Sequence, residues 1–336
     1  MTTHRAWAAS KAGGPLETIE VDPGRLGDHE VEVAVEHCGI CHSDLSMLDN
    51  DWGMTAFPFV GGHEAVGTVT ALGSAVRGLT VGQRVGVGWN AGSCGHCRAC
   101  HGGDAHLCGS VQPTIVRRHG AFAERVRADA TWAVPLPEGL DPAAAGPLMC
   151  GGITVFAPLL ELGVRPTDRV GVIGIGGLGH LAVQFARAWG CEVTAFTSTE
   201  AKHEEARRLG AHHVVASNDA RAIEGIAGRL DLIIDTVNVP LAWDAVIAAL
   251  APKGRLHVVG AVLEPIPVQA FSLISGQKSI SGSPTGSREA IVAMLEFAAR
   301  HGIAPQVERY PVDRINEAID HLRAGRARYR VVLDVA

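Results

Sequence analysis

The sequence predicts an α/β chain of two unlike parts, one β-rich and one built on a doubly wound parallel sheet. Three observations carry this. Before about Pro142 the apolar residues alternate in short runs broken by glycine, with no long helical pattern. From Arg169 onward, strand-like and helix-like segments alternate. Between the first such strand and helix lies Gly174-Ile175-Gly176-Gly177-Leu178-Gly179, a G-x-G-x-x-G loop. A length of 336 residues suits two domains.

In the first part, Val31 to Val35 alternates at period two, as does part of Ala65 to Leu72, and Val81 to Val87 continues the pattern. These strands predict a distorted barrel. Pro135 to Pro147 holds four prolines and an alanine run, and the domain change is expected just after it. Strands are then predicted at Arg169–Gly174, Cys191–Phe196, His213–Val215, Leu232–Asp235 and Gly254–Gly260. Helices are predicted at Leu178–Trp189, Glu200–Leu209, Arg221–Gly228 and Leu241–Leu250. A helix from Ser287 to about Arg300 and a strand from Arg330 to Val335 follow.

Charged residues at 19% and hydrophobic ones at 47% exclude disordered and fibrous classes. A net charge of −6 argues against nucleic acid as a partner. No uninterrupted apolar stretch of spanning length is read, and Met1 to Val21 holds no signal-peptide core, so the expectation is a soluble cytoplasmic chain with no membrane partner. Eight cysteines are then unusual, because a reducing compartment disfavours disulfides. They need another role.

In the glycine loop, Gly174 permits the tight turn, Gly176 lets backbone approach a pyrophosphate, and Gly179 packs helix on strand; Gly177 and Leu178 complete the loop. A ribose-binding carboxylate should follow about 20 residues on. That position falls in Thr197-Ser198-Thr199, which offers hydroxyls and no acid. With Lys202 one turn later, the segment suits the 2′-phosphate of NADP(H), although Glu200 cuts the other way and a capped loop is the plainer reading.

Cys94, Cys97, Cys100 and Cys108 fall within 15 residues. Four soft ligands at that spacing suit a structural Zn²⁺ with no open position. An iron–sulfur cluster uses the same ligands, and His96, His101 and His106 could compete. Cys41, His63 and Cys150 are scattered, and no local spacing joins them. A lone histidine is more often simply hydrogen-bonded, and a lone cysteine a small core residue.

Several segments together carry a resemblance: Gly39-Ile40-Cys41-His42-Ser43-Asp44, Gly62-His63-Glu64, the four-cysteine lobe, Cys150-Gly151-Gly152-Ile153-Thr154-Val155, the stretch Val172 to His180, and Arg328-Tyr329-Arg330. On these the chain resembles the zinc-dependent medium-chain dehydrogenases/reductases, in the cinnamyl alcohol dehydrogenase branch. Ser43 to Met47 and Gly151 to Phe156 are similar to bacterial NADPH-dependent broad-range aldehyde reductases.

The resemblance implies a GroES-like catalytic domain at 1–150 and 285–336, with a zinc lobe at 89–110, and a Rossmann domain at 151–284. It implies two Zn²⁺ per chain, one structural and one catalytic, with Cys41, His63 and Cys150 as catalytic ligands and an open fourth position. By the same resemblance Glu64 is the carboxylate beside the metal, Asp44 orients the histidine, and Thr154 and Arg330 belong to the cofactor site. Arg330 could otherwise be part of a solvated basic end.

Ser43 is the expected proton-passing hydroxyl. Ser46 stands where many relatives have a relay histidine, leaving the exit to Ser46 with water or to His42. Trp52 and Trp89 fall where relatives place pocket walls, though indoles also fill β domains. The implied activity is NADPH-linked reduction of aldehydes to primary alcohols by a homodimer. The alternatives are an NAD-linked primary alcohol dehydrogenase and, from another class, a non-catalytic dinucleotide sensor.

Overall fold

The computed structural model describes residues 3–336, so the first two positions of the expected 1–150 part lie outside the described residues. The chain divides into two compact units. One takes in the chain up to Ile153 together with Gly286–Ala336, and the other is Thr154–Thr285.

The first unit opens with an antiparallel pair, β1 (His4–Ala9) and β2 (Leu16–Val21). Then come β3 (Glu30–Ile40), β4 (Ala65–Leu72) and β5 (Arg84–Val87). The short pair β6 (Asn90–Gly92) and β7 (Gln112–Pro113) frames the cysteine lobe. β8 (Arg125–Asp129) and β9 (Ala133–Pro135) follow. The strand expected over 81–87 begins only at Arg84, because Gly82 turns the chain at φ +88° and Val81 is exposed. An eight-residue helix, His42–Asp49, was not expected. Its serines and aspartates favour turns over helix interiors, and it forms because Asp44 reaches back to the Cys41 N–H and Asn50 closes it in the left-handed region.

The second unit is a six-stranded parallel sheet of β10 (Arg169–Ile173), β11 (Glu192–Thr197), β12 (His213–Ala216), β13 (Leu230–Asp235), β14 (Leu250–Val258) and β15 (Ser279–Gly282). Their order is β12-β11-β10-β13-β14-β15, the doubly wound pattern. Helix Gly179–Trp189 follows the glycine loop and ends at Gly190 in the left-handed region. The helix expected at Glu200–Leu209 starts as a 3-10 turn and is α-helical only over His203–Arg208. Edge strand β15 is rich in serine and glycine, so neither composition nor alternation revealed it.

After helix Arg288–His301 the chain returns to the first unit with β16 (Val307–Pro311) and β17 (Arg330–Asp334). They complete a mixed sheet of order β16-β17-β3-β4-β5-β9, with β8 also on β3. Val31, Val33, Val35, Val69, Val85, Val126 and Leu333 form its buried core.

One expectation is corrected. Pro142–Glu161 forms a 20-residue helical stretch apolar enough, by length and composition, to cross a membrane. It is 94% buried, as the core helix of a globular fold would be. Pro147 and the Gly151-Gly152 pair interrupt its pattern in the sequence, and at that point it widens into a π-helical turn, Leu148–Gly152.

Candidate active site

The first unit gathers Cys41, His63, Glu64 and Cys150, whose ligand atoms all lie within 4.8 Å of one another. Cys41 stands where β3 hands over to helix His42–Asp49. Cys150 is carried into the group by the π-helical turn. His63 follows Gly62, whose φ of +92° and close fit, with a Cβ there only 2.6 Å from the Phe122 nitrogen, leave room for glycine alone.

Asp44, itself buried, organises three partners. It accepts from the Cys41 N–H at 2.9 Å and the Gly62 N–H at 2.8 Å, and pairs with His63 Nδ1 at 3.1 Å. The Asp44 bond fixes Nδ1 as the protonated nitrogen and turns the Nε2 lone pair toward the thiols. That Nε2 is fully buried and has no hydrogen-bond partner. A buried acceptor left unpaired is costly unless a ligand completes it. The two thiols are 4.0 Å apart; their mutual hydrogen bond holds Cys41 well below the ordinary thiol range and Cys150 well above it. Two sulfurs, one imidazole and a neighbouring carboxylate fit Zn²⁺.

Arg330 is buried and ion-paired to Glu64, which brings the arginine expected at the cofactor against the carboxylate expected beside the metal. Burial pushes the Glu64 carboxyl up to about 7, against the opposing pull of Arg330. Its second oxygen has no hydrogen-bond partner.

Ser43 lies beside the cluster, 3.8 Å from the Cys41 sulfur. Ser46 is three residues on, on the same helix face and buried. Trp89 meets the His63 ring edge-on at 5.0 Å, and Trp52 meets Trp89 at 6.1 Å. The indoles form a continuous aromatic wall leading from the histidine. Between β6 and β7, the sulfurs of Cys97 and Cys100 are 3.6 Å apart, those of Cys94 and Cys108 3.5 Å, and those of Cys94 and Cys100 3.9 Å. All four lie within 4.8 Å of one another, which suits one tetrahedral ion. The lobe histidines are not in that ligand group; His96 Nδ1 instead pairs with the Cys94 carbonyl.

In the second unit, Gly174 turns at φ +86°. A Cβ on Gly179 would sit 1.7 Å from the Gly174 carbonyl oxygen, whereas one on Gly176 would meet nothing within 4 Å. The loop is therefore packed at its third glycine and open at its second, as a pyrophosphate cradle requires. Thr197 is buried at the end of β11, while Ser198 and Thr199 are exposed. Lys202 reaches back to the Ile175 carbonyl at 3.0 Å, which ties its ammonium to the loop. Thr154 donates to the Pro284 carbonyl at 3.5 Å.

Sequence reasoning missed Asp235, the buried last residue of β13. One oxygen accepts from the Val237 N–H, the other has no partner, and burial pushes its pKa up to about 6. β13 reads Leu-Asp-Leu-Ile-Ile-Asp, and nothing in that pattern separates the buried Asp235 from the half-buried Asp231. A carboxyl raised in the folded state costs stability progressively between about pH 4 and pH 6, and the full cost persists above that. Asp235→Asn should therefore gain on the parent by about 2 to 3 kcal/mol between pH 4 and pH 7 in urea unfolding. A stability difference independent of pH would contradict this.

Residues 27–138 match the alcohol dehydrogenase GroES-like domain and residues 177–300 the zinc-binding dehydrogenase domain. The chain belongs to the zinc-dependent alcohol dehydrogenase family, oxidoreductases of the medium-chain dehydrogenase/reductase class. It is 54% identical over 329 residues to aldehyde reductase AdhA of Synechocystis, covering 98% of each chain. A cinnamyl alcohol dehydrogenase from Sorghum bicolor shares its fold with a TM-score of 0.95 at 37% identity, over 99% of this chain and 98% of that one. The Helicobacter pylori cinnamyl alcohol dehydrogenase complexed with NADP(H) matches with a TM-score of 0.91 at 26% identity, over the same shares.

Proposed function

We propose that the chain reduces aldehydes to primary alcohols, reversibly, with NADPH and two Zn²⁺ per chain. The observation that carries the chemistry is the buried, unpartnered His63 Nε2 beside Cys41 and Cys150. Zinc, when bound there, supplies a Lewis acid for the carbonyl oxygen, and the dinucleotide supplies the hydride. Asp44 holds His63 in its metal-binding tautomer. Ser43 moves the proton at the substrate oxygen, and Ser46 continues the path toward solvent. Trp52 and Trp89 favour aromatic and medium-chain aliphatic substrates by flat apolar contact. The Cys94, Cys97, Cys100 and Cys108 site is structural.

The NADPH preference is supported by the lack of an acid at the end of β11 and by Lys202 anchored on the glycine loop. Glu200 is the residue that favours NAD instead. A homodimer is supported by the open edge of β15 with exposed Ile280 and by exposed Phe271 and Ile274 nearby in sequence. Light scattering at the monomer mass of 35.2 kDa would reject it.

The test is dinucleotide oxidation by zinc-replete protein across a panel of aldehydes, with NADPH and with NADH. Lys202→Ala should raise the KM for NADPH by about tenfold or more and leave that for NADH unchanged. Ser43→Ala should cut turnover by about 10²-fold and Ser46→Ala far less. No oxidation with any aldehyde sinks the activity, equal NADPH and NADH use sinks the phosphate preference, and equal small serine effects sink the relay.

A further inference from the structure

We infer that His257 is a positioning residue for the nicotinamide half of the dinucleotide, acting through Ser281 and Ser283 on the end of edge strand β15. This rests on dinucleotide binding by the second unit and not on the choice between NADP and NAD. In a doubly wound sheet, each three-strand half takes one mononucleotide at the C-terminal ends of its strands. The glycine loop follows β10 and the hydroxyl turn follows β11, so the adenosine side belongs to β10–β12. The nicotinamide side falls to β13–β15.

At that side, β15 is the weak member. It has four residues, lies at the sheet edge and pairs with β14 alone. His257 is the penultimate residue of β14, only 3% exposed, and sits directly across from Ser281 in the strand register. Both ring nitrogens are engaged: Nδ1 is 2.9 Å from the Ser281 hydroxyl and Nε2 is 2.9 Å from the Ser283 hydroxyl. The first contact pins the strand and the second pins the chain just beyond it. The next carbonyl, of Pro284, receives the Thr154 hydroxyl.

Burial, reinforced by Arg255, pushes His257 down to about 4, so the ring stays neutral and offers one donor and one acceptor. An ordinary buried histidine would satisfy itself on nearby backbone. This one spends both nitrogens on two hydroxyls of a single edge segment, at the strand ends where the second mononucleotide binds.

The experiment compares each dinucleotide with its nicotinamide-free fragment: NADPH with 2′-phospho-ADP-ribose, and NADH with ADP-ribose. Dissociation constants are measured by calorimetry for the full chain and for His257→Leu, Ser283→Ala and His257→Gln. His257→Leu and Ser283→Ala should weaken the dinucleotide by about fivefold to tenfold and leave its fragment within about twofold. His257→Gln, which retains a donor and an acceptor, should recover part of the loss. Equal weakening of dinucleotide and fragment, or no change in either, overturns the inference. Ser283→Ala decides the matter if His257→Leu does not fold. The NADH pair keeps this result separate from any failure of the 2′-phosphate preference.

Discussion

Replacing His63 with glutamine should lower zinc content from about two ions per chain to about one and cut aldehyde reduction by about 10³-fold or more. Glutamine can still donate to Asp44, so the Gly62 and Cys41 contacts of that carboxylate survive. What is lost is the buried His63 Nε2, which has no hydrogen-bond partner. The remaining ion should resist chelation, because the lobe offers four sulfurs and no open position. Metal analysis and steady-state rates are read on the same sample. Two ions retained with activity lost would mean that His63 is not a ligand. One ion in the parent chain would remove one of the two sites altogether.

The glycine loop gives a second large effect, with an internal contrast. Gly179→Ala places a methyl group 1.7 Å from the Gly174 carbonyl oxygen and 3.2 Å from the Thr236 hydroxyl, so backbone must move. We expect about 3 kcal/mol or more of lost stability together with lost dinucleotide binding. Gly176→Ala meets nothing within 4 Å and its φ is not in the left-handed region. Its melting temperature should stay near that of the parent while dinucleotide affinity falls by tenfold or more, because the methyl group occupies the space the pyrophosphate needs. Unchanged affinity in Gly176→Ala would show that the phosphates lie elsewhere.

The second unit was largely legible in the sequence because a buried parallel sheet writes itself as repeated apolar runs, and β10, β11 and β13 are such runs. β15 was not, since Ser-Ile-Ser-Gly at an edge carries almost no pattern. The lobe cysteines were legible by spacing alone. Cys41, His63 and Cys150 were legible only through motif resemblance, because a β3 terminus, a glycine turn and a π-helical turn bring them together. The Arg330–Glu64 pair was legible in neither way. It depends on β17 pairing with β3, and strand pairing at such separation leaves no local trace. His257 and Asp235 were unreadable for a related reason: a buried polar side chain is informative only once its partners, or their absence, are seen.

Arg330 and Glu64 are 266 positions apart, and this separation orders the folding of the two units. Thr154–Thr285 is one continuous segment and can collapse as soon as it is synthesised. β3 must wait for β17, which at about 5–20 residues per second arrives on the order of tens of seconds later. During that interval β8 can already cover Glu30–Ala34, but the His37–Ile40 end of β3 lacks its β17 partner and Glu64 has no cation to bury against. The cluster of Cys41, His63, Glu64 and Cys150 is thus closed by one of the last strands to emerge.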